Sequence, residues 1–409
     1  MKLVGRGCQA EAHGFGIDIG GGRKVGFGHG TSAPGSGRTS VATRPVGPGH
    51  AVGTRDRRCL HCNTLSPAAP TVRATLTACL RIVLVPLLAL AALAVPARAA
   101  TRDFYFERIG SERGLTQSSV GAIAQDSLGF IWVGTQGGLH RYDGERYRVY
   151  RHDPEDAASL PDSFVTALAA DERPVLWIGT YSQYVAQLDL RTGRIRRYVD
   201  STPDRRADRQ VLALLAERDA VWVATVAGLD RLDAATGTRR RVFAPPAPYR
   251  PGQPNPQLLR DRAGHLWYAT AAGLFVVDSK APARVGDASA AYSLHEDRQG
   301  RLWLGGEHGL ERVRDGRRVP VWLGDAPGAP AQVRAIVQAP DGRLWLSVYP
   351  HGLRRFDPST GAVAALREDH AVVGGLPEDS FNTLLVDRGG MLWLGGQFRG
   401  AAVGDPHGA

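Results

Sequence analysis

Seven of the eight tryptophans recur in one short pattern, which constrains the fold of this 409-residue chain more than any other feature. In each, Trp follows an aliphatic residue and precedes an apolar and then a small one. The copies are Ile131-Trp132-Val133-Gly134, Leu176-Trp177-Ile178-Gly179, Val221-Trp222-Val223-Ala224, Leu266-Trp267-Tyr268-Ala269, Leu302-Trp303-Leu304-Gly305, Leu344-Trp345-Leu346-Ser347 and Leu392-Trp393-Leu394-Gly395. The intervals are 45, 45, 45, 36, 42 and 48 residues, and Trp322 falls outside the register. Self-similarity at such a period marks units that bury their apolar faces only by packing on one another.

The repeat extends beyond its Trp. An alternating apolar segment comes first, as in Val120-Gly121-Ala122-Ile123-Ala124-Gln125 or Phe381-Asn382-Thr383-Leu384-Leu385-Val386. An Asp-x-x-Gly turn follows at Asp126–Gly129, Asp261–Gly264, Asp297–Gly300 and Asp387–Gly390. After the Trp strand come Gly-Leu and a third strand, as in Gly138-Leu139-His140-Arg141-Tyr142, and a fourth such as Arg194-Ile195-Arg196-Arg197-Tyr198. The turn is replaced by Glu217-Arg218-Asp219 in the third unit and looks shortened at Asp341-Gly342 in the sixth. Period-2 strands between Gly and Asp turns, with no helical period after residue 100, predict an all-β, seven-bladed β-propeller of four-stranded antiparallel blades. The last unit lacks an outer strand, and 104–109 (Phe-Tyr-Phe-Glu-Arg-Ile) reads as one. Pairing that segment with the last blade would close the ring and remove its open edges.

Before the repeats the composition changes. Residues 1–99 hold 12 Lys/Arg against 3 Asp/Glu, leaving 38 against 37 for 100–409. The basic pI therefore belongs to the N-terminal quarter, and the repeat region has no net excess of cations for phosphates, so no nucleic-acid partner is expected. All four cysteines precede residue 100; Cys59 and Cys62 form a C-x-x-C without the second ligand pair or βαβ context that zinc or redox work needs. Residues 1–71 are rich in Gly, Ser, Pro and Arg and read as a disordered or mis-assigned extension. Residues 72–99 read as a signal peptide: Arg73 and Arg81, an apolar run over 82–95, then Ala97-Arg98-Ala99. Cleavage near Ala99 would deliver the propeller, 100–409, to the periplasm or the exterior. The run is short for a membrane span, which takes roughly 20 apolar residues.

The unit Asp-x-x-Gly-x-(Ile/Leu)-Trp-(Val/Ile/Leu)-Gly-Thr, followed by Gly-Leu-x-Arg-Tyr-Asp, resembles the two-component regulator propeller repeat. Leu160-Pro161-Asp162-Ser163-Phe164 and its echo Leu376-Pro377-Glu378-Asp379-Ser380-Phe381 fit the same family. The resemblance runs over roughly residues 104–405. It implies the extracytoplasmic sensor part of a membrane receptor whose output is a histidine kinase or diguanylate cyclase. It also implies a small-molecule or oligosaccharide ligand and a second propeller as partner. This chain stops after one propeller and carries no kinase or cyclase motif, so the expectation is a fragment or a stand-alone binding module. A membrane would be reached only through missing C-terminal regions.

No cofactor or metal is expected. One Asp per turn caps its own backbone more readily than it builds a calcium site, and one Trp per blade is core. Ligand contacts should come from the loops after the Trp strands, which differ while the scaffold repeats. Those loops hold Gln136, Tyr181, Gln183, Tyr184, Glu307, His308, Tyr349, His351, Gln397 and Arg399. Tyr181, Tyr184, His308, Tyr349 and Arg399 are the favoured contacts, because aromatic rings and a forked cation suit sugars or carboxylated ligands. The rival readings are a propeller lyase or glycosidase, with Glu307 and His308 or His351 as an acid/base pair, and a protein-interaction propeller.

Overall fold

The computed structural model describes residues 104–198, 209–277, 281–322, 324 and 331–408. The extension and the signal peptide lie outside the described residues. Seven four-stranded antiparallel sheets form, each built in simple sequential order except the last. Blade 1 spans 120–150, blade 2 165–198, blade 3 211–243, blade 4 257–285, blade 5 291–322 and blade 6 332–366. Blade 7 takes three strands from 381–404 and its outer strand from Phe106–Ile109. The pairing Phe106↔Gly404 to Ile109↔Ala401 closes the ring as the sequence predicts. One 3₁₀ turn, Ser111–Arg113, follows the strand Phe106–Ile109.

The first strand of each blade touches the first strand of the next around a complete circle, so these are the inner strands. Every apolar cluster straddles a blade boundary. Trp132 of blade 1 packs with Val165, Leu176 and Ile178 of blade 2. Trp177 meets Val211, Val221 and Val223 of blade 3, and Trp393 of blade 7 meets Val120, Ile131 and Val133 of blade 1. The Trp stripe is therefore inter-blade core, as its repetition implied.

The Asp-x-x-Gly turn does two jobs. In blade 1 one carboxylate oxygen of Asp126 accepts the amides of Leu128 (2.9 Å) and Phe130 (3.0 Å). The other accepts the indole N–H of Trp132 at 2.7 Å. The same link joins Asp261 to Trp267, Asp297 to Trp303 and Asp387 to Trp393, each at 2.8 Å. The fourth turn residue is left-handed, with φ of 100° at Gly129 and 90° at Gly390, which explains its glycine. Blade 6 corrects one expectation. Its turn is full length, with Gly342 N–H donating to Ala339 O at 3.0 Å and Ala339 standing where other blades have Asp.

Candidate functional site

Antiparallel pairing sets which loops share an end of the ring. Val120, at the start of an inner strand, pairs with Thr135, at the end of the second strand. The connectors into each inner strand and the loops after each Trp strand therefore open at the same end, here called the mouth. Tyr181, His308 and Tyr349 are placed there with their side chains at least partly open, whereas Tyr184 is buried and Arg399 faces the outer rim.

In six inner strands the register slips by one residue just inside the mouth. The extra residues are Gly121, Thr166, Leu212, Tyr292, Arg334 and Asn382; blade 4 pairs from Gln257 without a slip. A bulge leaves its extra residue out of the ladder and re-aims it. Two of them tie adjacent blades together: Thr166 Oγ1 donates to Val211 O (2.7 Å) and Asn382 Nδ2 to Val120 O (3.1 Å). Blades 5 and 6 place Tyr292 and Arg334 at the equivalent points instead.

Arg334 lies over the ring of Tyr349, 3.5 Å from its centroid. Its Nη2 donates to Gln332 Oε1 at 3.3 Å, while its buried Nε has no hydrogen-bond partner. Burial lowers the guanidinium's pKa, and Tyr349 and Tyr292 act against that shift. Burial pushes the Tyr292 hydroxyl up; Glu307 adds to the shift and Arg334 opposes it. These couplings bring Tyr292, Glu307, Arg334 and Tyr349 into one cluster across blades 5 and 6. His308, largely exposed, stands 3.4 Å from Glu307. His351 is occupied elsewhere, with Nδ1 3.0 Å from Arg367.

On the other side of the mouth, Tyr181 is half exposed and stacks flat on Phe164, with centroids 4.9 Å apart and planes 7° apart. A separate cavity of about 110 Å³ lies between blades 3 and 4. A connector with six prolines in 245–256 walls this cavity, Tyr268 and Leu212 floor it, and Tyr249 rims it. Burial, and then Tyr181, raise the pKa of the Tyr249 hydroxyl, which bonds to Gln253 O at 3.0 Å. Sequence reasoning missed this pocket, although its proline density was readable.

Two favoured residues are placed differently. Tyr184 corrects an expectation: it is 2% exposed, with φ +66°, its ring in the core shared with blade 3 and Arg239 lying 4.6 Å over it. The left-handed turn folds the ring inward, so it offers no surface to a ligand. Arg399 belongs to an outer-rim groove of about 300 Å³ with Asp369, His370 and Arg108, at the seam where the ring closes. Glu378 organises that loop by accepting the amides of Phe398 (3.1 Å) and Arg399 (2.9 Å). The mouth thus unites Tyr349 with Arg334 and leaves Arg399 apart at the seam of the ring. Among the described residues no His/Cys/Asp/Glu group has metal-site geometry.

The molecule is a closed seven-bladed β-propeller whose non-repeating chemistry gathers at one end of the ring. Two segments of the ring, residues 114–137 and 286–308, match the family model described as two component regulator propeller. A histidine kinase from Formosa agariphila is 43% identical over 68 residues, which cover 17% of this chain and 5% of that protein. In solved structures, the fold matches the extracellular domain assigned to a hybrid two-component system of B. thetaiotaomicron. There the TM-score is 0.62 at 21% identity, over 73% of this chain and 41% of that one. It also matches virginiamycin B lyase from Staphylococcus aureus, with a TM-score of 0.57 at 13% identity over 74% of this chain and 99% of the lyase. At such identities both structures speak for the fold alone. The chain spans about two fifths of the B. thetaiotaomicron domain and a twentieth of the curated kinase.

Proposed function

We propose that this chain is the extracytoplasmic ligand-sensing propeller of a bacterial signal-transduction receptor, with its ligand bound at the mouth. The observation that supports this most is the division of the molecule. The Trp, Asp and Gly scaffold repeats around the ring, whereas the residues at the equivalent mouth positions differ among all six blades that carry the bulge (Gly121, Thr166, Leu212, Tyr292, Arg334 and Asn382). A stability requirement common to all blades would select the same residue at each; a ligand that is not seven-fold symmetric selects different ones. The family match, the extracellular placement of the B. thetaiotaomicron domain and the signal-peptide pattern support export. Output, whether kinase or cyclase, would lie in other regions of the receptor.

A thermal-shift screen of the purified chain against oligosaccharides, organic acids and peptides tests the reading. A ligand-dependent rise in Tm, confirmed by calorimetry without turnover, is the expected result. Turnover that Glu307→Ala/His308→Ala abolishes while binding persists would replace the sensor with a propeller enzyme. A folded protein that answers no compound would sink the small-molecule reading and favour a protein-interaction propeller.

A further inference from the structure

We infer that Arg334, with the hydroxyls of Tyr292 and Tyr349, forms an anion-binding site at the mouth, and that the ligand taken there is a small carboxylated molecule. The inference rests on the sensor reading and adds the chemical class of the ligand.

The buried part of a guanidinium needs acceptors in place of the water it has lost. Arg334 has one protein acceptor, the Gln332 side-chain oxygen at 3.3 Å, and a ring face against Tyr349. Its buried Nε is unpartnered.

No acid among the described residues forms an ion pair with Arg334, and the acids of the surrounding loops make other contacts. Glu307 is the single acid in the seven loops after the Trp strands, and it faces His308 at 3.4 Å. Asp287 accepts from Arg318 at 3.2 Å, and Asp379 takes the amide of Glu368 at 2.6 Å. Glu378 is held by the amides of its loop. None of the six bulge residues is acidic.

What remains is a cation whose face is fixed by an aromatic ring, flanked by two phenols that can donate. An oxyanion accepts from a guanidinium and phenols in charge-assisted bonds, which are short and strong. The fixed fork suits the two oxygens of a carboxylate.

The site also explains itself energetically. A half-buried cation without an acid partner costs stability in the free protein, and functional sites are where such costs persist. The empty and filled states therefore differ in stability, and the difference can be measured.

The test is a thermal-shift and calorimetric comparison of the wild-type chain with Arg334→Gln and Arg334→Lys. The probes are glucuronate, glucose, acetate and sulfate at matched ionic strength. The expected result is a concentration-dependent Tm rise with glucuronate and none with glucose. Arg334→Gln should lose the rise while melting no lower than wild type without added anion. Arg334→Lys keeps the charge without the fork and should weaken glucuronate at least tenfold. If acetate also protects, charge carries the recognition; if only glucuronate does, charge and ring act together. Both results support the site. An anion response that survives in Arg334→Gln, or no response to any anion, overturns it. A neutral ligand that binds equally to wild type and Arg334→Gln overturns the anion site while leaving the sensor reading intact. Silence toward every compound in the wider screen as well removes both.

Discussion

A buried indole N–H needs an acceptor, and this propeller supplies one in four blades and omits it in three. Trp177, Trp222 and Trp345 have Nε1 buried without a partner. The cause is readable in the turn before each Trp. Ala339 stands where other blades have Asp, Glu217 takes that place in the one-residue-shorter turn of blade 3 and spends its carboxylate on Arg260 at 2.9 Å, and Asp171 spends its own on Arg173. Removing Asp126 would strand the Trp132 indole and two turn amides at once. Asp126→Ala should therefore cost about 2–3 kcal/mol, the upper part of the range for orphaning a buried donor. Asp171→Ala, which frees no indole, should cost under about 1 kcal/mol, as for a partly exposed ion pair. Urea unfolding of both variants measures the contrast, and equal losses would refute the role of the indole bond. The turn itself was legible in the sequence; the indole bond was not, because it depends on the hairpin bringing positions i and i+6 together. Arg334 was hidden for a similar reason. Within Val333-Arg334-Ala335 it reads as an ordinary strand residue, and only the slipped register turns it out of the ladder.

Among the elements, the strand Phe106–Ile109 carries the largest structural consequence for its length. It is the outer strand of blade 7, contributed by residues nearly three hundred positions away from their partners. Phe106 and Ile109 are buried, Phe106 with the core of blades 6 and 7 and Ile109 with blade 1. Just before it, Phe104 packs edge-on against Trp345, with centroids 5.0 Å apart. Deleting 104–109 would expose the strand Ala401–Gly404 as an open edge and uncover both side chains. At about 1.5–3 kcal/mol for each buried apolar side chain, the loss should be at least 3–6 kcal/mol before strand pairing is counted. Differential scanning calorimetry should show a sharply lower Tm and a tendency to aggregate. An unchanged melting curve would mean that the ring does not depend on this closure. This element was visible in the sequence because a missing outer strand and a spare one can be matched by pattern alone. The proline-rich connector was not, since a loop has no period to announce where it folds back. Its cavity exists only once blades 3 and 4 stand side by side.

At the scale of the whole ring, inter-blade packing buries titratable groups along with the tryptophans, and this links stability to pH. His140 is fully buried: Nδ1 lies 3.3 Å from Val133 O, and Nε2 accepts from Thr116 at 2.9 Å through the hydroxyl. Burial lowers its pKa from 6.5 to about 4. Burial likewise lowers that of His295, on the inner strand of blade 5, to about 4. In both cases the folded state resists a proton that the unfolded chain accepts. Their stabilisation is thus complete above pH 6.5 and is lost as pH falls toward 4. Each histidine can withdraw on the order of 3 kcal/mol over that interval. Asp297 continues the trend at lower pH. Burial alone would raise its pKa, but the indole of Trp303, the Arg301 amide and the Arg301 guanidinium together hold it below the ordinary carboxylate value. Glu378, pushed up by burial, works in the opposite sense. Chemical unfolding between pH 7.5 and 4 should therefore show stability falling steadily below about pH 6.5, the unfolded histidine pKa. His140→Gln, which keeps a neutral donor and acceptor without the titration, should be less stable at pH 7.5 and show a visibly shallower slope. A wild-type profile that stays flat down to pH 4, or a variant with an unchanged slope, would show that His140 does not carry the coupling.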